Sequence, residues 1–302
     1  MTTKALSLIL GITGILLFSS KAVMVKLAYL YEVDTISILL LRMVFSLPFY
    51  LIVIFLKRPN KDSSIRSKDY LFILLFGFLG YYLASYFDFL GLNYIKAGLE
   101  RIILFLYPTL VILISWFAFK EQITRQQILG ISITYLGILV VFFNEINLTD
   151  QENVVLGGVL IFLSALTYAS YIVGSGWLIP KFGATLFTSY AMIVSSFCVI
   201  IHYLFTSQGS IFSLPTEVYW ICLSMAVFAT VIPSYLISFA IKGLGANNFS
   251  VLGSLGPVST IGLAFIFLDE VLTSLQIIGA IVVIVGVYVA EKKFSKKTIA
   301  SK

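Results

Sequence analysis

The sequence predicts an all-α integral membrane protein, with ten transmembrane helices arranged as two inverted five-helix repeats. Three observations carry that reading. Of 302 residues, 60% are hydrophobic and only 11% charged, against about 25% charged in a soluble domain, so too little polar surface remains to coat a globule in water. Apolar runs long enough to cross a bilayer recur along the whole chain. Finally, one segment occurs twice. PTLVILISWFAFKEQITRQQILGISITYLG begins at Pro108, and PVSTIGLAFIFLDEVLTSLQIIGAIVVIVG begins 149 positions later at Pro257. At that offset Glu121 coincides with Glu270, Thr124 with Thr273, Gln127 with Gln276, Ile128 with Ile277, Gly130 with Gly279 and Gly137 with Gly286.

Apolar runs of about 20 residues place spans at 5–29, 35–56, 70–93, 97–119, 126–143, 155–178, 184–206, 217–241, 247–268 and 274–290. The first follows Lys4 but has no small-x-small cleavage site, and nine further spans follow it, so it reads as a span and not a signal peptide. Spans 4 and 9 carry Pro108 and Pro257. A proline inside a helix frees a backbone carbonyl and kinks the helix, which makes both residues hinge candidates. Spans 5 and 10 carry glycines seven residues apart, Gly130 with Gly137 and Gly279 with Gly286. Small residues on one face let helices approach closely. Glu121 and Glu270 open the turns before these spans, where each is placed to cap the helix that follows. Cys198 and Cys222 both fall inside spans and read as small apolar residues.

The net charge of +6 is explained by topology and not by a nucleic-acid partner. With the N-terminus inside, the inner loops and tails hold Lys4, Lys57, Arg58, Lys61, Arg66, Lys68, Lys120, Arg125, Lys181 and Lys242, and a basic tail at 291–302. The outer loops hold Glu32, Asp34, Glu145, Asp150, Glu152, Glu217, Asp269 and Glu270 against Lys96. This positive-inside bias puts both termini in the cytoplasm. Five spans per repeat is an odd number, so repeat 155–290 enters the membrane from the side opposite to repeat 5–143.

The twice-occurring pattern of Pro, an apolar run, a charged residue before Glu, a short turn with Gln, and two glycines seven apart resembles the EamA branch of the drug/metabolite transporter superfamily. The resemblance covers residues 5–143 and 155–290. It implies a bundle of ten helices in two inverted repeats. It also implies secondary transport of a small metabolite across the inner membrane, with export of amino acids or related compounds common among similar chains. The usual small residue before the Glu is replaced here by Lys120 and Asp269, at the membrane edge.

Charges inside spans are the strongest site signal, because each costs several kcal/mol in lipid and marks a pathway or a pair. Lys21, Arg42, Asp88, Glu100 and Arg101 fall in spans 1 to 4, at depths that cluster in the outer part of the first half. They form a structural network, or an outer gate or a substrate or proton site. Three bases against two acids leave one positive charge, which suits a carboxylate. For proton coupling, Asp88 and Glu100 are the candidates, since low dielectric disfavours a charged carboxylate. The second half has no charge at matching depth. It carries polar stripes at helical spacing instead: Ser164, Tyr168, Tyr171 and Ser175; Thr230, Ser234, Tyr235 and Ser238; and Asn247, Asn248, Ser250 and Ser254. These hydrogen-bond between helices or line a cavity with Tyr81, Tyr82, Ser85 and Tyr86 of span 3. His202 sits near the outer end of span 7 and could titrate near neutral pH.

The expected partners are a small-molecule substrate, the lipid bilayer and, as coupling ion, protons. With one histidine, no HExxH, no CxxC, no phosphate-cradling glycine loop and no nucleophile elbow, neither a cofactor nor a metal is expected. The competing class is a membrane-embedded enzyme acting on lipid-linked substrates, with Asp88, Glu100 and His202 as its acid or base groups. The internal duplication is unexplained by that class.

Overall fold

A computed structural model describes residues 3–57, 65–120, 122–148, 153–206, 211–246, 249, 252–253 and 255–291. Among the described residues the chain is all-helical, with no strand. Seven helices are long and apolar enough to cross a membrane: α1 (Thr3–Tyr29), α2 (Thr35–Leu56), α3 (Ser67–Leu92), α4 (Ala97–Leu104 with Tyr107–Phe119), α6 (Val154–Phe182), α7 (Ala184–Thr206) and α8 (Thr216–Leu244). Three shorter apolar helices accompany them: α5 (Arg125–Leu148, apolar over Arg125–Val141), α9 (Leu255–Leu268) and α10 (Ser274–Glu291).

The internal repeat reappears in the element starts. Thr35 and Ala184 open α2 and α7, Ser67 and Thr216 open α3 and α8, and Arg125 and Ser274 open α5 and α10, each pair 149 residues apart. The packing follows the same relation. α1 packs on α8 and α9, while α6 packs on α3 and α4; α2 packs on its mate α7, and α5 on its mate α10. In the last pair a Cβ on Gly130 would lie 2.6 Å from the carbonyl of Gly286, and one on Gly137 3.0 Å from that of Gly279. Gly130 therefore faces Gly286 while Gly137 faces Gly279, so the mates run antiparallel with backbones in contact. Only glycine permits that approach.

Local chemistry explains where helices begin. Asp34 caps α2, its carboxylate accepting from the amides of Ile36 and Ser37 at 3.1 and 3.0 Å. Thr124 and Gln127 form a reciprocal capping box before α5, with distances of 2.8 and 3.3 Å. Thr273 and Gln276 repeat it before α10, at 2.8 and 3.2 Å. The repeated Thr and Gln are thus helix-start chemistry. Lys120 and Asp269, also mates, take left-handed backbone at φ 55° and 52°, the conformation in which a small residue without strain would be glycine. Lys120 and Asp269 therefore each hold a backbone conformation that costs a non-glycine residue about 1–2 kcal/mol.

Three sequence expectations are corrected here. Pro108 and Pro257 do not sit within unbroken helices but stand where a helix begins, and both stay hinge candidates. A turn at Phe105–Leu106 breaks α4, and Pro108 stands in the first turn of the new segment, where its missing N–H costs nothing. Pro257 likewise lies in the first turn of α9. Glu270 does not cap the helix that follows it. Its two carboxylate oxygens accept from the amides of Ala97 and Gly98, at 3.1 and 3.2 Å, closing the N-terminus of α4 in the other repeat. Lys181 lies within α6 and not in a loop; it pairs at 2.6 Å with Asp69 of α3. Glu121, Asn247, Asn248, Ser250, Ser254 and the tail beyond 291 lie outside the described residues.

Candidate functional site

Helices α3 and α8 each contain one turn of π-helix, at Phe78–Leu83 and Val227–Val231, and Val227 is the residue 149 positions after Phe78. Such insertions in α-helices concentrate at functional sites. Here the two face a common cavity. Its lining includes Gly80, Tyr81, Ala84 and Ser85 from α3 and, as their counterparts, Ala229, Thr230 and Ser234 from α8. Phe18 and Lys21 of α1, Arg42 of α2, Ser164 and Tyr168 of α6 and Leu104 of α4 complete the wall with Ile237. The unfilled space has room for about one water molecule. A second cavity shares Phe18, Leu104, Tyr168 and Ile237 with the first, and adds Arg101 among Phe105, Tyr107 and Phe249.

The five charges expected in the outer part of the first half all come together and are all buried. Lys21 Nζ lies 2.6 Å from Asp88 Oδ2, joining α1 to α3. Arg101 Nε lies 3.8 Å from Glu100 Oε2 and donates to Thr260 Oγ1 at 3.0 Å; its Nη2 donates to the Phe18 carbonyl at 3.4 Å. Arg42 Nη2 donates to Ser85 Oγ at 2.8 Å. Two phenyl rings separate the cations. Phe89 lies 4.8 Å from Arg42 and 5.9 Å from Lys21, and Phe18 lies 4.5 Å from Lys21 and 5.6 Å from Arg101. Each ring contact offsets part of the cost of desolvating the cation.

With both carboxylates ionised, the oxygens of Glu100 have no hydrogen-bond donor. The Glu100 and Asp88 side chains are neighbours in this buried cluster.

The polar stripes divide between packing and lining. Ser164 donates to the Ala84 carbonyl at 2.7 Å, Tyr50 and Ser234 share a bond at 2.9 Å, Ser189 and Tyr235 share one at 2.7 Å, and Thr188 meets Ser238. Ser164, Tyr168, Thr230 and Ser234 also line the cavity. Tyr171 is buried behind the lining, 4.8 Å from the Tyr81 ring and 5.6 Å from Phe187. Tyr82 and Tyr86 do not reach the cavity. They form a half-buried cluster with His202, in which Tyr82 Oη lies 3.1 Å from His202 Nδ1 and the Tyr86 ring 4.8 Å from the imidazole. Cys198 and Cys222 are free thiols. Among the described residues no group of His, Cys, Asp or Glu could hold a metal ion.

Phe18 and Gly80 line the cavity and were not singled out by the sequence, since neither carries a polar side chain. Tyr81, Ser85, Thr230 and Ser234 were, and the offset that aligns the prolines pairs Tyr81 with Thr230 and Ser85 with Ser234.

A model of the EamA-like transporter family matches the chain twice, over residues 5–143 and 155–291. This chain belongs to the EamA-like transporter family. It is a multi-pass membrane protein whose similar chains are transporters. The uncharacterized transporter YcbK of Bacillus subtilis (strain 168) is 27% identical over 291 residues, covering 94% of this chain and 93% of YcbK. The uncharacterized transporter YyaM of the same organism is 30% identical over 243 residues, covering 80% and 79%. A solved crystal structure superposes with a TM-score of 0.66, over 96% of this chain and 99% of that one, at 16% identity. That likeness shows a shared fold.

Proposed function

We propose that this EamA-family chain is a secondary transporter moving a small metabolite, amino-acid-like or another small organic solute, by alternating access, with export the favoured direction. In this reading ten spans form two inverted repeats, 5–143 and 155–290, in the inner membrane, and both termini and the basic tail 291–302 face the cytoplasm. The observation that carries the reading is the cavity between the mated π-helical turns of α3 and α8. A site lined by equivalent turns of two repeats can open to either side by rocking one repeat against the other. The antiparallel run of α5 against α10 supports inversion, and a cavity with room for about one water supports an occluded form. Protons are the proposed coupling ion, carried by Asp88 and Glu100.

The test is flux in proteoliposomes with a panel of radiolabelled amino acids and organic acids, under an imposed pH gradient and in exchange mode. Saturable movement of a panel member supports transport. Absence of any flux, together with turnover of a lipid-linked substrate by the same preparation, sinks it in favour of an enzyme.

A further inference from the structure

Arg42 and Thr230 line the same cavity, and each has a buried polar atom with no protein partner, Nε and Oγ1. Arg42 is 2% exposed and Thr230 4%. An unmet polar group in a dry interior is costly, so two on residues that line one space mark it as built for a polar ligand. The guanidinium donates from Nη2 to the Ser85 hydroxyl at 2.8 Å and lies 4.8 Å from the Phe89 ring. The nearby Asp88 carboxylate is already held by Lys21. Arg42 belongs to the first half of the chain and Thr230 to the second, so one ligand bridging them would join the two repeats.

We propose that this cavity is the binding site for the carboxylate of a small monoanionic organic acid, gripped by Arg42 through its Nε edge and by the Thr230 hydroxyl. This form has room for about one water, so the acid enters a wider form of the same site, in which its apolar part lies against Phe18 and Tyr168, the wall shared with the second cavity. A guanidinium presents planar donors matched to a carboxylate. An amine is disfavoured because Lys21 and Arg42 line the space and, among the described residues, no carboxylate does. A phosphate would bring a further oxygen and a second charge without further unmet donors. The physiological consequence of the site rests on the transport reading; the binding itself does not.

The experiment uses the full chain purified in detergent. Isovalerate and phenylacetate are titrated beside isovaleramide and phenylacetamide, which keep the shape and lose the charge, and melting temperature is read. Both acids are expected to stabilise the protein, and both amides to leave it unchanged. Arg42→Lys weakens acid binding roughly tenfold or more. Thr230→Val is the more discriminating variant. It removes an unmatched hydroxyl, so it raises the melting temperature of the free protein while lowering acid affinity. It also carries the test if Arg42→Lys fails to fold. The proposal is overturned by equal stabilisation from acids and amides, by no shift from either acid, or by acid affinity unchanged in Thr230→Val. Acid binding that is lost in Thr230→Val, without acid flux in liposomes, keeps the site and sinks transport. Flux of a neutral solute untouched by Thr230→Val keeps transport and sinks the site.

Discussion

Lys21 and Asp88 meet across α1 and α3 with Nζ 2.6 Å from Oδ2, and neither side chain is more than 4% exposed. The two helices are therefore tied at a point where neither charge reaches water. Breaking such a pair on one side leaves an uncompensated buried charge. Lys21→Met or Asp88→Leu alone should each cost about 3–5 kcal/mol, whereas the double substitution should recover most of it. Thermal melting of the four forms, arranged as a double-mutant cycle, measures the coupling; additive losses would mean the pair is not the tie.

Glu100 supplies a pH test of coupling. Glu100→Gln keeps a hydrogen-bond donor toward Asp88 but cannot release a proton. The variant should insert and fold while flux loses its dependence on the imposed pH gradient. Wild-type flux with an unchanged pH profile would reduce Glu100 to structure.

The glycine contacts between α5 and α10 fix a steric limit. A Cβ on Gly130 would lie 2.3 Å from the Ala290 amide nitrogen, and one on Gly286 2.5 Å from that of Thr134. Backbone cannot yield as a side chain can, so Gly130→Ala and Gly286→Ala should each destabilise by about 1–3 kcal/mol. Gly262→Ala in α9 meets nothing within 4 Å and should stabilise by about 0.5–1 kcal/mol. Melting temperatures of the three variants give the comparison.

Glu270 joins the repeats through backbone. Glu270→Ala strips the acceptors from the amides of Ala97 and Gly98, at a cost of about 0.5–2 kcal/mol. Glu270→Gln, which keeps one acceptor oxygen, should lose less. Hydrogen exchange at the first turn of α4 should rise in both, and most in the alanine variant.

The left-handed backbone at Lys120 and Asp269 gives a stabilising prediction. Lys120→Gly and Asp269→Gly should each raise stability, by up to about 1 kcal/mol, because glycine adopts φ > 0 without strain. The gain at Lys120 should be the larger, as Asp tolerates this region better than Lys. A fall in melting temperature in either variant would refute the strain argument.

Much of this molecule was legible in its residues. The cost of burying charge made Lys21, Arg42, Asp88, Glu100 and Arg101 conspicuous, and folding did bring them together. Their partners were less legible. The sequence offered Tyr81 and Tyr82 as neighbours on one span, and a π-helical turn over Phe78–Leu83 rotates the helix face partway along it. The four span 3 residues named together as cavity candidates divide there: Tyr81 and Ser85 line the cavity, while Tyr82 and Tyr86 turn to His202.

By itself the sequence determined the apolar spans, the internal repeat at an offset of 149 residues and the identity of the buried charges. Each is a property of composition and order along the chain: apolar length against bilayer thickness, residue identity at a fixed shift, and charge within a greasy run. Only the tertiary structure decided that Glu270 caps a helix of the other repeat, that Pro108 restarts a broken helix, and that Arg42 and Thr230 face one space with unmet hydrogen-bonding atoms. Those outcomes depend on which helices pack and on a local departure from regular helical pitch, and neither is encoded in the spacing of a single segment.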